Sequence, residues 1–510
     1  MTAAAERVRG FRRGLAVDVV AALNLVGTLV TFLPPAFLVP AAVAVGYDEP
    51  PWPFLAAALA TLAVGLGLAR TTRRGGRVGA REGYLVVALV WLLVAALGAL
   101  PYIFARGQLE SPLDAYFESM SGFTTTGATV VADIEGLEHS IAVWRQLTVW
   151  LGGLGIVVLA LAVLPRLRVG GRQLLEAEAA SSPEVGTLTE SIRSTSRRFL
   201  GLYLVLTAVG IATLVAFGLV GLDERMTPYN AVLHALVVPA TGGFSPEPRS
   251  VESFGAASHW AIALFMLLGG ANFALLYRAF VRRRPSALVR DDEFRLYLLV
   301  LALGSLLLLT ELLAEGIASG EAAVRHAVFQ AVSIMTTTGY ASLDFNQWTA
   351  LTSVTIVALM FVGGSAGSTS GSIKVVRHLL MGRMLGRELN QTVHPELVSP
   401  VRLNGAAIED RTLRSLIVFV FLYLGCFGLG ALGIAIEGAH GDTGITPFQA
   451  IAAAATTIGN VGPGFGIAGP MGSFAEYTGT SKAIMIALMW LGRLEIVPIA
   501  VLFTRRYWRA

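Results

Sequence analysis

Cysteine, lysine and charge are all scarce in this chain. One cysteine, Cys426, stands among 510 residues, so an intrachain disulfide is excluded. Charged residues make up 14% of the sequence against 55% hydrophobic, where soluble domains carry about 25% charge, so that class is excluded too. The formal charge of +4 is too small to draw a nucleic-acid partner. No Walker A lysine motif, no Gly-x-Gly-x-x-Gly on a strand and no zinc-ligand spacing occurs, so the chain is expected to bind no nucleotide of its own. What remains is an all-α polytopic membrane protein.

Long apolar runs carry that reading. Two fall at roughly 15–45 and 52–69, with Pro34, Pro35 and Pro40 near the end of the first, where a helix meeting the far interface stops. The basic stretch Met1–Arg13 precedes them. The apolar run after it is too long and too rich in Pro and Val for a cleaved signal peptide, so retention is expected. Further runs pair up near 83–104 and 141–164, 199–220 and 257–281, 294–316 and 348–381, and 413–436 and 481–503, giving about ten spans. Between the members of each pair lies a shorter apolar segment, such as Pro112–Phe123, Tyr229–Val238 or Ala322–Met335, too short to cross a bilayer. The chain therefore divides into an N-terminal two-helix extension (1–82) and four helix, short helix, loop, helix units: 83–172, 173–290, 291–400 and 401–510.

After each short segment comes a polar, glycine-containing turn: Thr125-Thr126-Gly127, Thr241-Gly242-Gly243, Thr337-Thr338-Gly339 and Thr457-Ile458-Gly459. Any one of these is an ordinary helix-packing motif. Four in the same setting are not, and non-helical backbone inside a bilayer is tolerated only where it is buried in protein or faces water. Arginines collect at Arg7–Arg13, Arg70–Arg81, Arg166–Arg172, Arg193–Arg198, Arg282–Arg290, Arg377–Arg387, Arg402–Arg414 and Arg505–Arg509, all on one side of the predicted spans. By the positive-inside rule that side is cytoplasmic, both termini lie there, and all four loops enter from outside, where Glu49, Glu110, Glu247 and Asp344 concentrate cations. A dehydrated monovalent cation needs oxygen dipoles in place of its water, and successive carbonyls of a Thr-x-Gly segment supply them. Each unit starts and returns on one face, the plan of a pore about a membrane-normal axis rather than of a carrier built from inverted halves.

The runs Phe117-Glu118-Ser119-Met120-Ser121-Gly122-Phe123-Thr124-Thr125-Thr126-Gly127-Ala128 and Ala455–Gly464, together with Gly492-Arg493-Leu494-Glu495-Ile496, resemble the Trk/Ktr/HKT superfamily of potassium transport proteins, in its TrkH/TrkG type. The likeness covers essentially the whole chain, the two extra N-terminal spans included. It implies a K+ filter formed by the four turns, in a homodimer of the bacterial inner membrane. It also implies a cytosolic ring of TrkA-type subunits that bind NAD or ATP. The arginine-rich surface at Arg282–Arg290 and Arg377–Arg414 suits that partner, and equally suits lipid contact. Coupling to sodium or protons, as in a symporter of the same superfamily, stays open.

Gly363-Gly364-Ser365-Ala366-Gly367-Ser368-Thr369-Ser370-Gly371-Ser372-Ile373-Lys374 interrupts the second helix of the third unit. Glycine inside a helix costs about 1 kcal/mol relative to alanine, so this stretch opens into a loop. The resemblance makes it an intramembrane gate below the filter, with Ser365 where the pattern has cysteine and Ser372 where it has glycine. Lys374 is one of two lysines, and either snorkels to the interface or joins the gate. Arg493 lies deep in the last span and needs oxygen partners, either Glu495 or the gating loop. A remote alternative is an intramembrane serine hydrolase, since Gly363-Gly364-Ser365-Ala366-Gly367 fits Gly-x-Ser-x-Gly; it needs a base, and His378 is the nearest histidine.

Overall fold

Asp18 opens the first helix by accepting a hydrogen bond from the Ala21 amide at 3.0 Å, which satisfies one of the free donors at a helix start. The computed structural model describes residues 17–73, 79–162, 188–396, 399–441 and 444–509, and the basic stretches Met1–Arg13 and Arg166–Arg172 lie outside them. Val19–Val30 (α1) and Pro34–Gly46 (α2) form one apolar span interrupted at 31–33, ahead of the prolines, and Trp52–Thr71 (α3) returns beside it.

Each unit then repeats one order of elements. The first has Ala80–Gly98 (α4), the short helix Pro112–Phe123 (α5) and His139–Ala162 (α6). The second has Leu188–Leu219 (α7), Pro228–Val237 (α8) and Ala256–Gly269 (α9). The third has Asp292–Ala314 (α10), Gly320–Met335 (α11), Ala350–Met360 (α12) and Val375–Val393 (α13), and the fourth Asp410–His440 (α14), Pro447–Gly459 (α15) and Gly479–Arg493 (α16). The short helices have 12, 10, 16 and 13 residues, and a span needs about 20. Proline marks the outer ends of three of them, and threonine caps two: Thr227 accepts from Asn230 N, and Thr446 makes a capping box with Gln449. Their inner ends are buried, which aims the negative pole of four helix dipoles at the centre of the molecule.

Among the described residues six helices are long and apolar enough to cross a membrane, or seven if the pair Ala256–Gly269 and Phe273–Val281 counts as one span bent by 105°. About ten spans are expected from hydropathy alone. The difference lies in the second helices, of which three are broken and not only the third unit's. Between α9 and the helix that follows it, Asn272 caps the new start by accepting from Ala274 N and Leu275 N. After α16, Glu495 and Ile496 adopt left-handed φ of 58° and 53° before Val497–Leu502 resumes. One large apolar core joins the N-terminal extension to the first and fourth units, and a second joins the second and third.

The extension is tied to the first unit at the acidic face. Glu49 accepts from the His139 and Ser140 amides at 2.7 and 2.9 Å, capping α6 with a negative charge at its N-terminus. Burial pushes the Glu49 carboxyl up, but hydrogen bonds from Ser140 and His139 outweigh it and hold it below its ordinary value of 4.5. A carboxyl lowered on folding contributes stability that is present above its ordinary value and lost as pH falls through the lower folded one. The melting temperature of detergent-solubilised protein should therefore drop on acidification through that window, and Glu49→Gln should flatten this part of the profile. A profile unchanged by Glu49→Gln would place the acid sensitivity elsewhere.

At the arginine-rich face a two-residue hairpin, Arg402–Leu403 with Ala406–Ala407, turns through Asn404 and Gly405. It is moored to the start of α10: Asn404 N and Arg383 Nη2 both meet Asp292 Oδ2 at 3.0 Å.

Candidate functional site

Each short helix ends in the same backbone turn. Thr125, Thr241, Thr337 and Asn460 take left-handed φ of 51°, 51°, 57° and 54°. Two residues further on stand Gly127, Gly243, Gly339 and Gly462, of which the first, third and fourth have φ of 81°, 82° and 113°. A methyl group on Gly127 would lie 2.6 Å from Gly243 N, on Gly243 2.5 Å from Thr338 O, on Gly339 2.0 Å from Val461 O, and on Gly462 2.7 Å from Thr126 O. The first unit thus touches the second, the second the third, the third the fourth and the fourth the first. The glycines close a ring in which no side chain fits.

The fourth strand of the ring corrects the sequence reading. Thr457, Ile458 and Gly459 form the last turn of α15, where Thr457 Oγ1 bonds back to Ala453 O at 2.7 Å. Asn460-Val461-Gly462 takes the place expected of them. A second glycine three residues after the first made the Thr-x-Gly match ambiguous, and the left-handed turn decides it, since asparagine adopts that conformation readily. The outer helices give the same register: a methyl on Gly152 would meet Phe123 O at 2.2 Å and one on Gly492 would meet Ile458 O at 1.9 Å, each four residues before its ring glycine.

Thr125, Thr126, Thr241, Thr337 and Thr338 are buried around the ring with Gly242. Several of their hydroxyls are occupied behind it: Thr124 Oγ1 and Thr126 Oγ1 are 2.7 Å apart, Thr336 Oγ1 and Thr338 Oγ1 2.8 Å, and Asn460 Nδ2 donates to Thr126 Oγ1 at 3.0 Å. The carbonyls are not. Among the described residues, none of the carbonyls of 125–127, 241–243, 337–339 and 460–462 accepts a hydrogen bond. Buried backbone carbonyls are almost always paired, so four sets of free ones around one ring make an oxygen-rich surface. A small cavity of about 50 Å³ opens on the acidic side of the ring, lined by its four glycines with Arg145, Phe244 and Glu247.

On the opposite side lies the segment between α12 and α13. Its base is closed by a bridge of Val362 with Ile373 and by Gly363 N on Ile373 O at 2.9 Å, and Gly364 O accepts from Val375 N at 3.1 Å. Its tip reaches two of the strands. Thr369 Oγ1 donates to Pro239 O at 2.9 Å and Thr241 Oγ1 to Thr369 Oγ1 at 3.2 Å, while Gly371 N donates to Thr337 Oγ1 at 2.7 Å. A methyl on Gly371 would lie 2.3 Å from Gly459 O, so Gly459 bounds the loop rather than the ring. Gly367 has φ 71° and its carbonyl accepts from Phe273 N at 3.3 Å.

Of the two partners open to Arg493, the structure uses the loop. Its Nη1 donates to Thr369 O at 2.8 Å, and Nε and Nη2 have no hydrogen bond among the described residues. Glu495 pairs instead with Arg377 at 2.5 Å, whose guanidinium lies 3.8 Å over the Phe419 ring. Lys374 is buried and folded back onto the Ser370 carbonyl, not extended to an exposed interface.

A family model described as TrkH, cation transport protein, matches residues 53–509. The chain belongs to the TrkH family. The Trk system potassium uptake protein TrkH of Escherichia coli (strain K12) is 34% identical over 490 residues, 95% of this chain and 98% of that one. The protein of the same name from Vibrio parahaemolyticus is 35% identical over 494 residues, 96% and 99% of the two chains. The crystal structure of the potassium transporter TrkH from Vibrio parahaemolyticus matches with a TM-score of 0.85 at 33% identity, over 97% of this chain and 100% of that one. TrkH is a family of transporters, not of enzymes.

Two departures of this TrkH-family chain from the pattern now have physical settings. Ser372 has φ 56°, a conformation glycine adopts without strain, and its Oγ donates to Met360 O at 2.6 Å. Ser365 Oγ is buried without a hydrogen-bond partner among the described residues, and His378 Nε2 faces Phe361 O at 3.2 Å. Among the described residues, no base hydrogen-bonds to that serine. One residue of the loop's support escaped the sequence reading: Glu293 Oε1 accepts from Ala366 N at 2.6 Å and Val376 N at 3.2 Å. An acid inside an arginine-rich segment was its signal.

Proposed function

We propose that this chain takes up potassium across the bacterial inner membrane, through the ring of four strands and past the loop that lies against it. The observation that carries the reading is the set of unpaired backbone carbonyls at 125–127, 241–243, 337–339 and 460–462, which offer an unhydrated cation oxygen dipoles without a carboxylate to trap it. The four units, 83–172, 173–290, 291–400 and 401–510, each supply one quarter of the filter. The names of the relatives, Trk system potassium uptake proteins, favour K+ as cargo.

The loop of Gly363, Gly364, Ser365, Gly367 and Gly371, with Lys374 and Arg493, is read as the gate, because its tip contacts the strands on the side away from the acidic mouth. The arginine-rich face is read as cytoplasmic, with both termini inside. The hairpin at 402–407 and Arg383 present a surface there for a cytosolic nucleotide-binding regulator of the Trk system, and the chain is read as one half of a homodimer. Purified protein in liposomes decides the transport reading. Rubidium should enter down its own gradient, potassium should compete with it, and sodium should pass far more slowly. Uptake that runs only with a sodium or proton gradient would replace conduction by symport.

A further inference from the structure

Behind the ring the four units differ. Nine residues before its ring glycine each short helix presents a different side chain to the strand leaving the ring: Glu118, His234, Gln330 and Ala453. Glu118 accepts from Thr129 Oγ1 at 2.9 and 3.1 Å and from Val130 N at 2.9 Å. His234 Nε2 lies 3.2 Å from Ser245 Oγ, and Gln330 Nε2 donates to Tyr340 O at 3.4 Å, while alanine in the fourth unit has nothing to offer. The carboxylate of the first unit is fully buried, and a buried charge is costly unless it is paired. Arg145 of α6 pairs with it, Nε to Oε1 at 2.8 Å, with both side chains almost wholly inaccessible.

Neutralising Glu118 uses only one edge of this guanidinium. Nη2 donates to Thr129 Oγ1 at 3.2 Å, on the strand leaving the first quarter of the ring. The plane's carbon lies 4.3 Å from the centre of the Phe244 ring, a cation over an aromatic face. Phe244 directly follows Gly243, and its carbonyl accepts from Tyr340 Oη at 3.0 Å, where Tyr340 directly follows Gly339. One buried cation therefore stands at the head of a chain of contacts through three of the four ring strands.

We propose that Arg145 is a positioning residue for ion selectivity: held by Glu118, it sets the spacing of the first and second ring strands through Phe244, and that of the third through Tyr340. The proposal rests on the reading of the ring as the filter. It says that the width of the ring, and so the preference for potassium over the smaller sodium ion, is fixed from behind by an ion pair that touches no ion.

The test measures potassium, rubidium and sodium permeability ratios of the full chain in liposomes. Arg145→Gln alone strands the Glu118 charge, so the informative variant is Arg145→Gln with Glu118→Gln, which removes both charges and keeps a hydrogen-bonding partner for Thr129. Phe244→Leu approaches the same contact with the ion pair intact, and Phe244→Tyr restores an aromatic face. The double variant and Phe244→Leu should each lower the potassium-to-sodium ratio about tenfold at parental melting temperature. Combined, they should do little more, because they remove one contact. Phe244→Tyr should stay near the parent. Gly339→Ala serves as the ring control. If it lowers the ratio while the double variant and Phe244→Leu leave it unchanged, or only lower the melting temperature, Arg145 is structural and the proposal is overturned. If Gly339→Ala too leaves the ratio unchanged, the filter reading falls and this inference with it.

Discussion

Gly462→Ala is expected to collapse potassium selectivity, whereas Gly459→Ala, three residues earlier, should leave it within about twofold of the parent. At φ 113° Gly462 occupies a region that side chains rarely enter, and the added methyl would sit 2.7 Å from the Thr126 carbonyl oxygen. Backbone strain of this kind costs about 1–3 kcal/mol, which the chain can relieve only by turning carbonyls of the first or fourth strand away. A loss of 1.4 kcal/mol in differential binding is already about a tenfold loss of discrimination. Gly459 ends a helix at ordinary φ, and its nearest neighbour to a new methyl is Met360 O at 3.1 Å, which a small shift accommodates. The measurement is the potassium-to-sodium permeability ratio of both variants. Selectivity lost in Gly459→Ala and kept in Gly462→Ala would return the fourth strand to 457–459.

The second large effect is expected at the loop. Arg493→Ala removes the hydrogen bond to Thr369 O, and removing residues 365–370 takes away the tip while sparing the bridge of Val362 with Ile373. Each should raise regulator-free rubidium uptake at least about tenfold. Because both act on one barrier, the combination should rise little above the larger single effect. Glu495→Ala offers a contrast, since that carboxylate pairs with Arg377 and not with Arg493. It should lower the melting temperature without opening the path, for it leaves Arg377 partly buried without its carboxylate. Strictly additive flux from the first two lesions would mean two separate barriers.

Much of this architecture is legible in the sequence because the bilayer imposes it. Segments such as Pro112–Phe123 are too short to span, and polar turns at membrane depth must face water or protein. The first three ring strands follow from that, as do the broken helix at 363–374 and the need of Arg493 for an oxygen partner. The fourth strand was misplaced because two glycines three residues apart, Gly459 and Gly462, both follow the threonines. Only the backbone turn tells them apart, and Asn460 marks it by chemistry rather than by identity with Thr125. The breaks after Gly269 and Arg493 are not legible because each is marked only by one or two polar residues, Asn272 in one and Arg493 with Glu495 in the other, inside runs that are otherwise apolar. What ends those helices is tertiary: Gly270 O is taken by Ser365 N at 2.8 Å, and Gly492 is pressed against α15. The pairing of Arg145 with Glu118 is not legible because it joins residues 27 apart on two different helices.

The mooring of the loop has a mechanical meaning. One oxygen of Glu293 holds Ala366 N on the way into the tip and Val376 N just beyond its exit. One carboxylate oxygen thus ties the entry of the loop to its exit, like a stirrup whose two straps meet at one hook. The hook sits in the first turn of α10, beside Asp292, to which Arg383 and the 402–407 hairpin are fastened. Asp292 and its neighbour Glu293 thus put the 402–407 hairpin and the intramembrane loop on one helical turn, two consecutive carboxylates holding one backbone segment each.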